Sequence, residues 1–365
     1  MDGRRETRVV PLLAALVVVG AGIKFAAPLL VPLLLATFLT IVTAPLVLGL
    51  EKRGVPASIA VILALLIDAA GLTIIGLAVS ESLAGFSLRL ADYEALFAIW
   101  LTSTTEWLEA YSVGSDQVRE VISPGTVMDT VASLLKNIAG MLSNLMLVLV
   151  IVVFMLFETL GLRDKLLRVI ADPARLDRLA RGARRVNKYL AVKTATSSAT
   201  GLLCGSLCVV VGVDFPMLWG LLAFLLNFIP TIGSIIAAVP PVLLALVLLG
   251  PGEALATALG YLAVNFIIGN LLEPRILGRA LGLSPLVVFL SMVLWGWLLG
   301  PVGALLAVPL TMGVRIALND SQEFRWVAVL LGPAGEARAE TLQESQESRE
   351  SRQSQAPPPA DAPES

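Results

Sequence analysis

The sequence predicts an all-α, polytopic membrane protein with about eight hydrophobic segments, each near the length that crosses a bilayer as a helix. Hydrophobic residues make up 57% of the 365 residues and charged residues 15%, with a mean hydropathy of +0.86. A soluble core cannot bury that much apolar surface. Two of the apolar segments carry prolines and glycines in their middle, which predicts broken or re-entrant helix pairs.

The first three spans are predicted within residues 1–80. The first apolar stretch resembles a secretory signal peptide. However, Lys24 and Pro28 follow it where a small-residue cleavage site would be needed. We therefore expect it to be retained as a span. The three apolar stretches run from Val9 to Ile23, from 28 to 50 and from 55 to 79.

The distribution of Lys and Arg predicts the orientation, because connections rich in these residues stay on the cytoplasmic side. Segment 161–193 holds ten Lys or Arg against three acids, a net charge of +7. Segment 81–140 holds three against eight, a net charge of −5. We expect segment 161–193 and both termini inside, and segment 81–140 outside.

The outer region, 81–140, is predicted to be helical. An aromatic stripe recurs every three or four residues, the period of an amphipathic helix that lies on the membrane or packs on a neighbouring subunit. The stripe comprises Phe86, Leu90, Tyr93, Phe97, Trp100, Trp107, Leu108 and Tyr111. Ser123 and Pro124 form a helix start signal, and the helical pattern continues to Leu160 through the fourth span, 141–160, which should project outside.

Segment 161–193 is predicted to contain a basic cytoplasmic amphipathic helix that starts at Asp172–Pro173. One face of that helix is dense in basic residues, a composition that suits anionic lipid headgroups. These residues are Arg175, Arg178, Arg181, Arg184, Arg185 and Lys188. We expect the lipid bilayer to be their partner and expect no nucleic-acid partner.

Residues 194–320 are predicted to form the transmembrane core with the broken helices. In segment 215–249 the backbone groups freed around Ile229 to Gly233 need polar partners at a depth where lipid offers none. A second interrupted segment runs from 285 to 318. Either two crossings or a re-entrant hairpin satisfies the charge pattern for each broken segment.

Polar side chains inside these segments are the candidates for a transport path, since such groups are costly in lipid. The candidates with their flanking prolines and glycine are Asn227, Pro230, Gly233, Pro240, Asn265, Asn270, Glu273 and Asp68. Glu273 precedes Pro274, which biases Glu273 away from helical geometry and predicts the end of a span there. For Asp68, in the middle of the third span, a hydrogen-bonded structural role stays open.

Small residues and prolines of the core predict hinges or close helix packing. Two small-xxx-small pairs are present, and a proline follows a glycine at the second interruption. The hinge or packing candidates are Gly201, Gly205, Gly296, Gly300, Pro301, Gly303 and Pro309. Cys204 and Cys208, four residues apart, are expected to be buried packing residues.

Composition also excludes function classes. The chain has no histidine, which removes histidine-dependent nucleophile systems and histidine metal sites. No phosphate-binding loop motif is present, so direct coupling to ATP is not expected. We expect no enzyme activity, no cofactor and no metal. The Glu-, Ser- and Pro-rich stretch 333–365 is predicted to be a disordered cytoplasmic tail.

The chain resembles the AI-2E family of bacterial membrane proteins, the autoinducer-2 exporter-like or PerM-type permeases. The similarity extends from the first spans to about Ile316 and is most specific in the last third. The resemblance rests on the runs LLNFIPTIGSIIAAVPPVLLAL and NLLEPRILGRALGLSPLVVFLSMVLWGWLLGPVGALLAVPLT. Positions matching the family pattern are Asn227, Pro230, Gly233, Pro240, Glu273, Pro274, Gly278, Gly282, Pro285, Gly300, Gly303 and Pro309. The tail after Leu331 has no counterpart in it.

The resemblance implies a transporter of the bacterial cytoplasmic membrane that exports a small polar molecule, an autoinducer-2-like signal. A gradient-driven or facilitated mechanism is expected. It equally leaves open a Na⁺ or K⁺/H⁺ antiporter, and the residues leave open a non-transporting membrane scaffold. The aromatic stripe and the small-residue pairs offer more packing surface than one bundle needs, so we expect a homo-oligomer.

Overall fold

The computed structural model describes residues 14–15, 17–110, 124–142, 145–169, 172–230, 232–277, 282–320 and 324–333. Over these residues the regular structure is helical, with no strand, which confirms the all-α class. The helices are α1 (Ala27–Lys52), α2 (Ala57–Ala110), α3 (Pro124–Leu142), α4 (Leu145–Val169), α5 (Pro173–Val211), α6 (Pro216–Leu226), α7 (Ile232–Leu248), α8 (Pro251–Asn265), a π-helical segment (Phe266–Leu272), α9 (Glu273–Leu277), α10 (Pro285–Leu305), α11 (Ala307–Asp320) and α12 (Arg325–Leu330).

Within the described ranges, five helices are long and apolar enough to cross a membrane. They are Ala27–Lys52, Ala57–Glu106, Leu176–Val211, Pro251–Leu277 and Pro285–Leu305. Three shorter apolar helices accompany them, namely Met146–Thr159, Pro216–Leu226 and Ile232–Leu248. The apolar side chains left on their outer surfaces suit lipid, and the chain is a multi-pass membrane protein.

Helix α2 is one continuous helix of 54 residues. At 1.5 Å per residue it extends about 80 Å, far beyond the roughly 30 Å of hydrocarbon. The sequence predicted a span ending at 79 and a separate helical outer region that starts at 81. The two are joined because the helix contains no proline to interrupt the backbone ladder.

The inner part of the aromatic stripe packs inside the chain. Phe86, Tyr93 and Phe97 are almost fully buried, in one cluster with Met128 and Leu135 of α3. The Phe86 ring also meets Phe215 and Trp219 edge to face, with centroids 6.2 and 6.3 Å away. The prediction that this stripe lies on the membrane or on another subunit is wrong for these residues. The side chains of Trp107 and Leu108, and all of Tyr111, lie outside the described residues.

The helix expected from Pro124 to Leu160 is present as α3 and α4, with residues 143–144 between them outside the described part. Helix α3 packs on α2 in the cluster with Phe86 and Tyr93. Helix α4 packs instead on α1 and on the first part of α2, through Val148, Val152 and Leu156. The outer region is thereby tied to the bundle through α2.

Helix α5 runs without interruption for 39 residues from Pro173, directly after Asp172. The boundary drawn at 193/194 between a basic helix and a span lies within it. Composition changes there, but no proline follows Pro173 in the helix to interrupt the backbone. The basic surface and the core therefore share one rigid element.

Helices α6 and α7 form a hairpin, and 227–230 are the described residues of the break between them. They have 11 and 17 residues, about 16 and 25 Å at 1.5 Å per residue, so each is shorter than the hydrocarbon. The sequence predicted freed backbone groups around Ile229 to Gly233. The described break overlaps that range but begins earlier, at Asn227, and Ile232 and Gly233 already belong to α7. Helix α7 continues through Pro240 and Pro241. Gly233 allows the tight turn, because a methyl group there would overlap the carbonyl oxygen of Leu226.

Candidate transport site

The centre of the candidate site is a buried ion pair between α5 and the start of α9. The Lys193 ammonium lies 2.8 Å from one carboxylate oxygen of Glu273 and 2.9 Å from the other. Their side chains are only 6% and 15% exposed. Two charges that leave water lose hydration free energy, which their mutual attraction offsets only in good geometry. Such a pair within a membrane-spanning bundle is a functional-site candidate by default.

The π-helical segment explains how Glu273 reaches Lys193. The Glu273 backbone N–H donates to the carbonyl of Ile268, five residues back, which is the wide spacing of a π-turn. Glu273 has φ −57° and ψ −49°, so it is helical, and α9 continues through Pro274 to Leu277. The expectation that the span ends at Glu273 is wrong. We attribute this to the widened turn, which gives the proline ring room that a regular α-turn lacks.

Asn227 ends α6 at the break and also contacts α5. Its side-chain amide donates to the Ser197 hydroxyl at 3.0 Å. Asn227 is 8% exposed and Ser197 is fully buried. Ser197 follows Lys193 by four residues, so the two project from the same face of α5. The break of the α6–α7 hairpin and the π-turn thus both meet one stripe of α5.

That stripe extends along α5 at intervals of three or four residues. Tyr189, at its basic end, is 2% exposed, and its phenol is close enough to interact electrostatically with the Glu273 carboxylate. The stripe comprises Tyr189, Lys193, Ser197, Gly201, Cys204, Gly205 and Cys208. Sequence reasoning missed Tyr189, Lys193 and Ser197 as site residues. Their spacing of four residues, which places them on one face of a helix, was the available signal. Lys193 was instead counted among the basic residues of the cytoplasmic connection 161–193.

The glycines of the stripe bring α5 and α6 into backbone contact. A methyl group at Gly201 would lie 2.7 Å from the Gly220 carbonyl oxygen, and one at Gly205 would lie 3.3 Å from that of Pro216. Small residues on both helices permit this approach. Cys204 and Cys208 are buried, free thiols on the same face. The close packing of α5 against α6 therefore places the Asn227 side chain within hydrogen-bond distance of Ser197.

The structure does not bring the other polar candidates to this ion pair. The Asn265 amide donates to the Tyr261 carbonyl at 2.8 Å within its own helix, and Asn270 is exposed. Asp68 accepts the Thr43 hydroxyl at 3.0 Å on both carboxylate oxygens. That contact joins α1 to α2 and favours the hydrogen-bonded structural role that was left open for Asp68.

The second interruption forms a sharp bend within α10. Gly300 has φ 70° and ψ −156°, outside helical geometry, directly before Pro301. A methyl group at Gly303 would overlap the Trp295 carbonyl oxygen, and one at Gly296 would touch Ala304. The Trp295 indole donates to Thr311 of α11 at 3.0 Å, and Pro309 lies in the first turn of α11.

The start of α6 is held to α2 by a polar contact that the sequence did not indicate. Arg89 and Tyr93 each donate to one carboxylate oxygen of Asp214 at 2.9 Å. The Trp219 indole donates to the Asp214 backbone carbonyl at 2.6 Å. Phe215, the next residue, has φ 58°, a left-handed conformation that costs free energy for a bulky side chain. These contacts hold the strained turn at that end of the hairpin.

The basic face of α5 is exposed and partly paired with acids. Arg181 and Arg184 both face Asp177, and Arg178 lies 3.7 Å from Asp172. Arg185 and Lys188 are exposed, and the side chain of Arg175 lies outside the described residues. In the described ranges, no three acidic or cysteine side chains converge to hold a metal ion.

A bundle of membrane-spanning helices with a broken hairpin and a buried ion pair beside a π-turn is typical of one class of protein, the multi-pass α-helical membrane transporters. The chain belongs to the AI-2E transporter family, whose model, described as AI-2E family transporter, matches residues 13–322. The resemblance drawn from the sequence is thereby confirmed.

Three curated proteins are similar to this chain over most of its length and almost all of theirs. The chain is 39% identical over 327 residues to the AI-2 transport protein TqsA of Escherichia coli K12, covering 89% of this chain and 95% of that protein. It is 37% identical over 333 residues to a putative transport protein of Haemophilus influenzae, covering 88% and 94%. It is 36% identical over 324 residues to the putative transport protein YhhT of E. coli K12, covering 88% and 93%.

Proposed function

We propose that this protein exports a small polar molecule, of the autoinducer-2 type, across the bacterial cytoplasmic membrane through a path that passes the Lys193–Glu273 pair. The observation that carries the proposal is this buried ion pair, placed beside a π-turn. The similarity to a protein named for AI-2 transport supports the substrate class. Export is driven either by a coupled gradient or, as facilitated diffusion, by the concentration gradient of the substrate itself.

The path would use polar groups supplied by both breaks. Asn227 and Ser197 offer an amide and a hydroxyl, which suit the hydroxyl groups of a polyol-like substrate. Lys193 and Glu273 offer an ammonium and a carboxylate that can open toward a substrate and close on each other after it leaves. Transport then alternates between a paired state without substrate and an opened state with it, which is a two-state change biased by the substrate.

A second candidate is exchange of Na⁺ or K⁺ for protons, and one feature favours it specifically. Glu273 is already neutralised by a monovalent cation, the Lys193 ammonium. A metal cation that displaced this ammonium would meet the same carboxylate. The scaffold alternative loses support, because the inner aromatic stripe that was to hold partners is buried against α3 and α6.

Purified protein in proteoliposomes tests the proposal. Autoinducer-2 efflux is measured first, and Na⁺ and K⁺ flux under an imposed pH gradient second. We expect autoinducer-2 efflux that Asn227→Ala depresses about tenfold, equivalent to about 1.4 kcal/mol of lost interaction. Cation-coupled proton flux without autoinducer-2 efflux would replace the proposal with the antiporter. No flux of any of the three would favour the scaffold.

A further inference from the structure

A cavity away from the transport site lies at the basic end of α5. Its volume is about 270 Å³, and it is an open cavity lined by α5, α11 and α12. Four arginines and one aspartate line it, namely Arg178, Arg181, Arg185, Arg315 and Asp320. Its walls therefore carry an excess of positive charge. We propose that this cavity binds a phosphate-bearing anion, as a lipid headgroup or as a soluble phosphate.

Three of the arginines project into the cavity from one face of α5. Arg178, Arg181 and Arg185 are spaced by three and four residues, so their guanidinium groups follow one another along the helix. Guanidinium groups bind phosphate oxygens through paired, charge-assisted hydrogen bonds. In the part of the chain that the structure describes, Arg185 makes no ion pair, so its charge is available to a ligand.

The opposite wall is fixed by packing and by Arg315. A methyl group at Gly182 would lie 2.9 Å from Ile316, so α5 and α11 approach closely beneath the cavity. The Arg315 side chain donates to the Ala328 carbonyl at 3.1 Å and also to the Gly282 carbonyl. Helix α12 is thereby held against α11, and the cavity has a defined shape before any ligand arrives.

Helix α12 indicates the depth of the cavity relative to the membrane. Ala328 is 2% exposed and faces the bundle, whereas Trp326 is 63% exposed and Leu330 68%. Aromatic and apolar side chains exposed in this way are typical of the headgroup region of a bilayer. The arginines of the cavity would then lie at the same depth in the membrane as the phosphate groups of the lipids. The volume is slightly below that of pockets for drug-sized ligands, which suits a headgroup.

Asp320 limits what the cavity accepts. Its carboxylate oxygen is 4.0 Å from Arg178, so it offsets part of the positive charge. A ligand with a single phosphate diester charge therefore fits better than a highly charged anion. Phosphatidylglycerol has this headgroup charge, and inorganic phosphate presents the same kind of oxygen atoms as a soluble ion that is not a diester.

Ligand binding to the full chain in neutral detergent tests the proposal. A short-chain phosphatidylglycerol and inorganic phosphate are titrated separately at constant ionic strength, with short-chain phosphatidylcholine as the net-neutral lipid. Apparent affinity is read from the shift in melting temperature. The cavity variant is Arg178→Gln/Arg185→Gln. The matched control is Arg184→Gln/Lys188→Gln, which removes two charges from the same helix outside the cavity.

We expect at least one charged probe to bind wild-type protein, with affinity about tenfold or more weaker in the cavity variant and within about twofold in the control. Phosphatidylglycerol binding without phosphate binding identifies a lipid headgroup, and phosphate binding identifies a soluble anion. Equal weakening in both double variants, or no binding of either probe, would overturn the proposal. Should the cavity variant fail to fold, Arg185→Gln alone decides, since it breaks no ion pair; unchanged affinity there contradicts the cavity.

Discussion

Removing one partner of the Lys193–Glu273 pair should destabilise the protein more than removing both. Lys193→Met leaves the Glu273 carboxylate buried without a counter-charge, and Glu273→Gln leaves the Lys193 ammonium in the same position. The double variant Lys193→Met/Glu273→Gln leaves neither charge. Both side chains are replaced by groups of similar length, so the packing of α5 against α9 is preserved.

The magnitude follows from the burial of the two side chains, 6% and 15% exposed. Breaking a buried pair typically costs about 3–5 kcal/mol, while replacing the whole pair by neutral groups is often near neutral. Each single variant should therefore lose about 3–5 kcal/mol and the double variant about 1 kcal/mol.

The assay is a double-mutant cycle of unfolding by dodecyl sulfate in mixed micelles, followed by tryptophan fluorescence. The interaction energy is the double-variant loss less the sum of the two single losses. We expect a coupling of several kcal/mol. If the stability losses of the two single variants simply add in the double variant, Lys193 and Glu273 do not interact energetically. That result would refute a stabilising ion pair.

Three further predictions concern topology, packing and assembly. A cysteine at Ser115 should react with an impermeant reagent from outside only, since 81–140 is acidic; the native cysteines are buried, and labelling from the cytoplasmic side alone would reverse the orientation. Gly233→Ala should destabilise by about 1–3 kcal/mol through overlap with Leu226, whereas Gly313→Ala, in open space, should not destabilise. Equal melting temperatures would contradict this. Light scattering corrected for detergent should give a multiple of 38.5 kDa, and a monomer mass at all concentrations would refute a homo-oligomer.

The class of fold and the position of the first break follow from local chemistry. Apolar length predicts membrane helices, and Pro230 with Gly233 predicts where α6 must end, because both effects act within a few residues. Helix lengths were less predictable. Composition changes near residues 80 and 193, but neither helix has a stop signal there, so α2 and α5 continue beyond the membrane.

The pairing at the candidate site is a tertiary property. Lys193 and Glu273 are 80 residues apart, and a single sequence does not reveal which cation meets which acid. Glu273 itself was selected, but its backbone was predicted wrongly, because the rule that a residue before proline leaves the helix holds for regular α-turns. The π-turn between Asn265 and Glu273 has no comparable sequence signal.

The most direct test of the account is autoinducer-2 flux through the Lys193→Met/Glu273→Gln variant in proteoliposomes, compared with Thr43→Val/Asp68→Asn. Both double variants remove a polar contact between helices of the bundle, but only the first lies on the proposed path. We expect the first to fold, to keep the wild-type assembly and to lose flux by about tenfold or more, while the second retains flux near the wild-type rate. Wild-type flux in a folded Lys193→Met/Glu273→Gln protein would contradict a path through the ion pair.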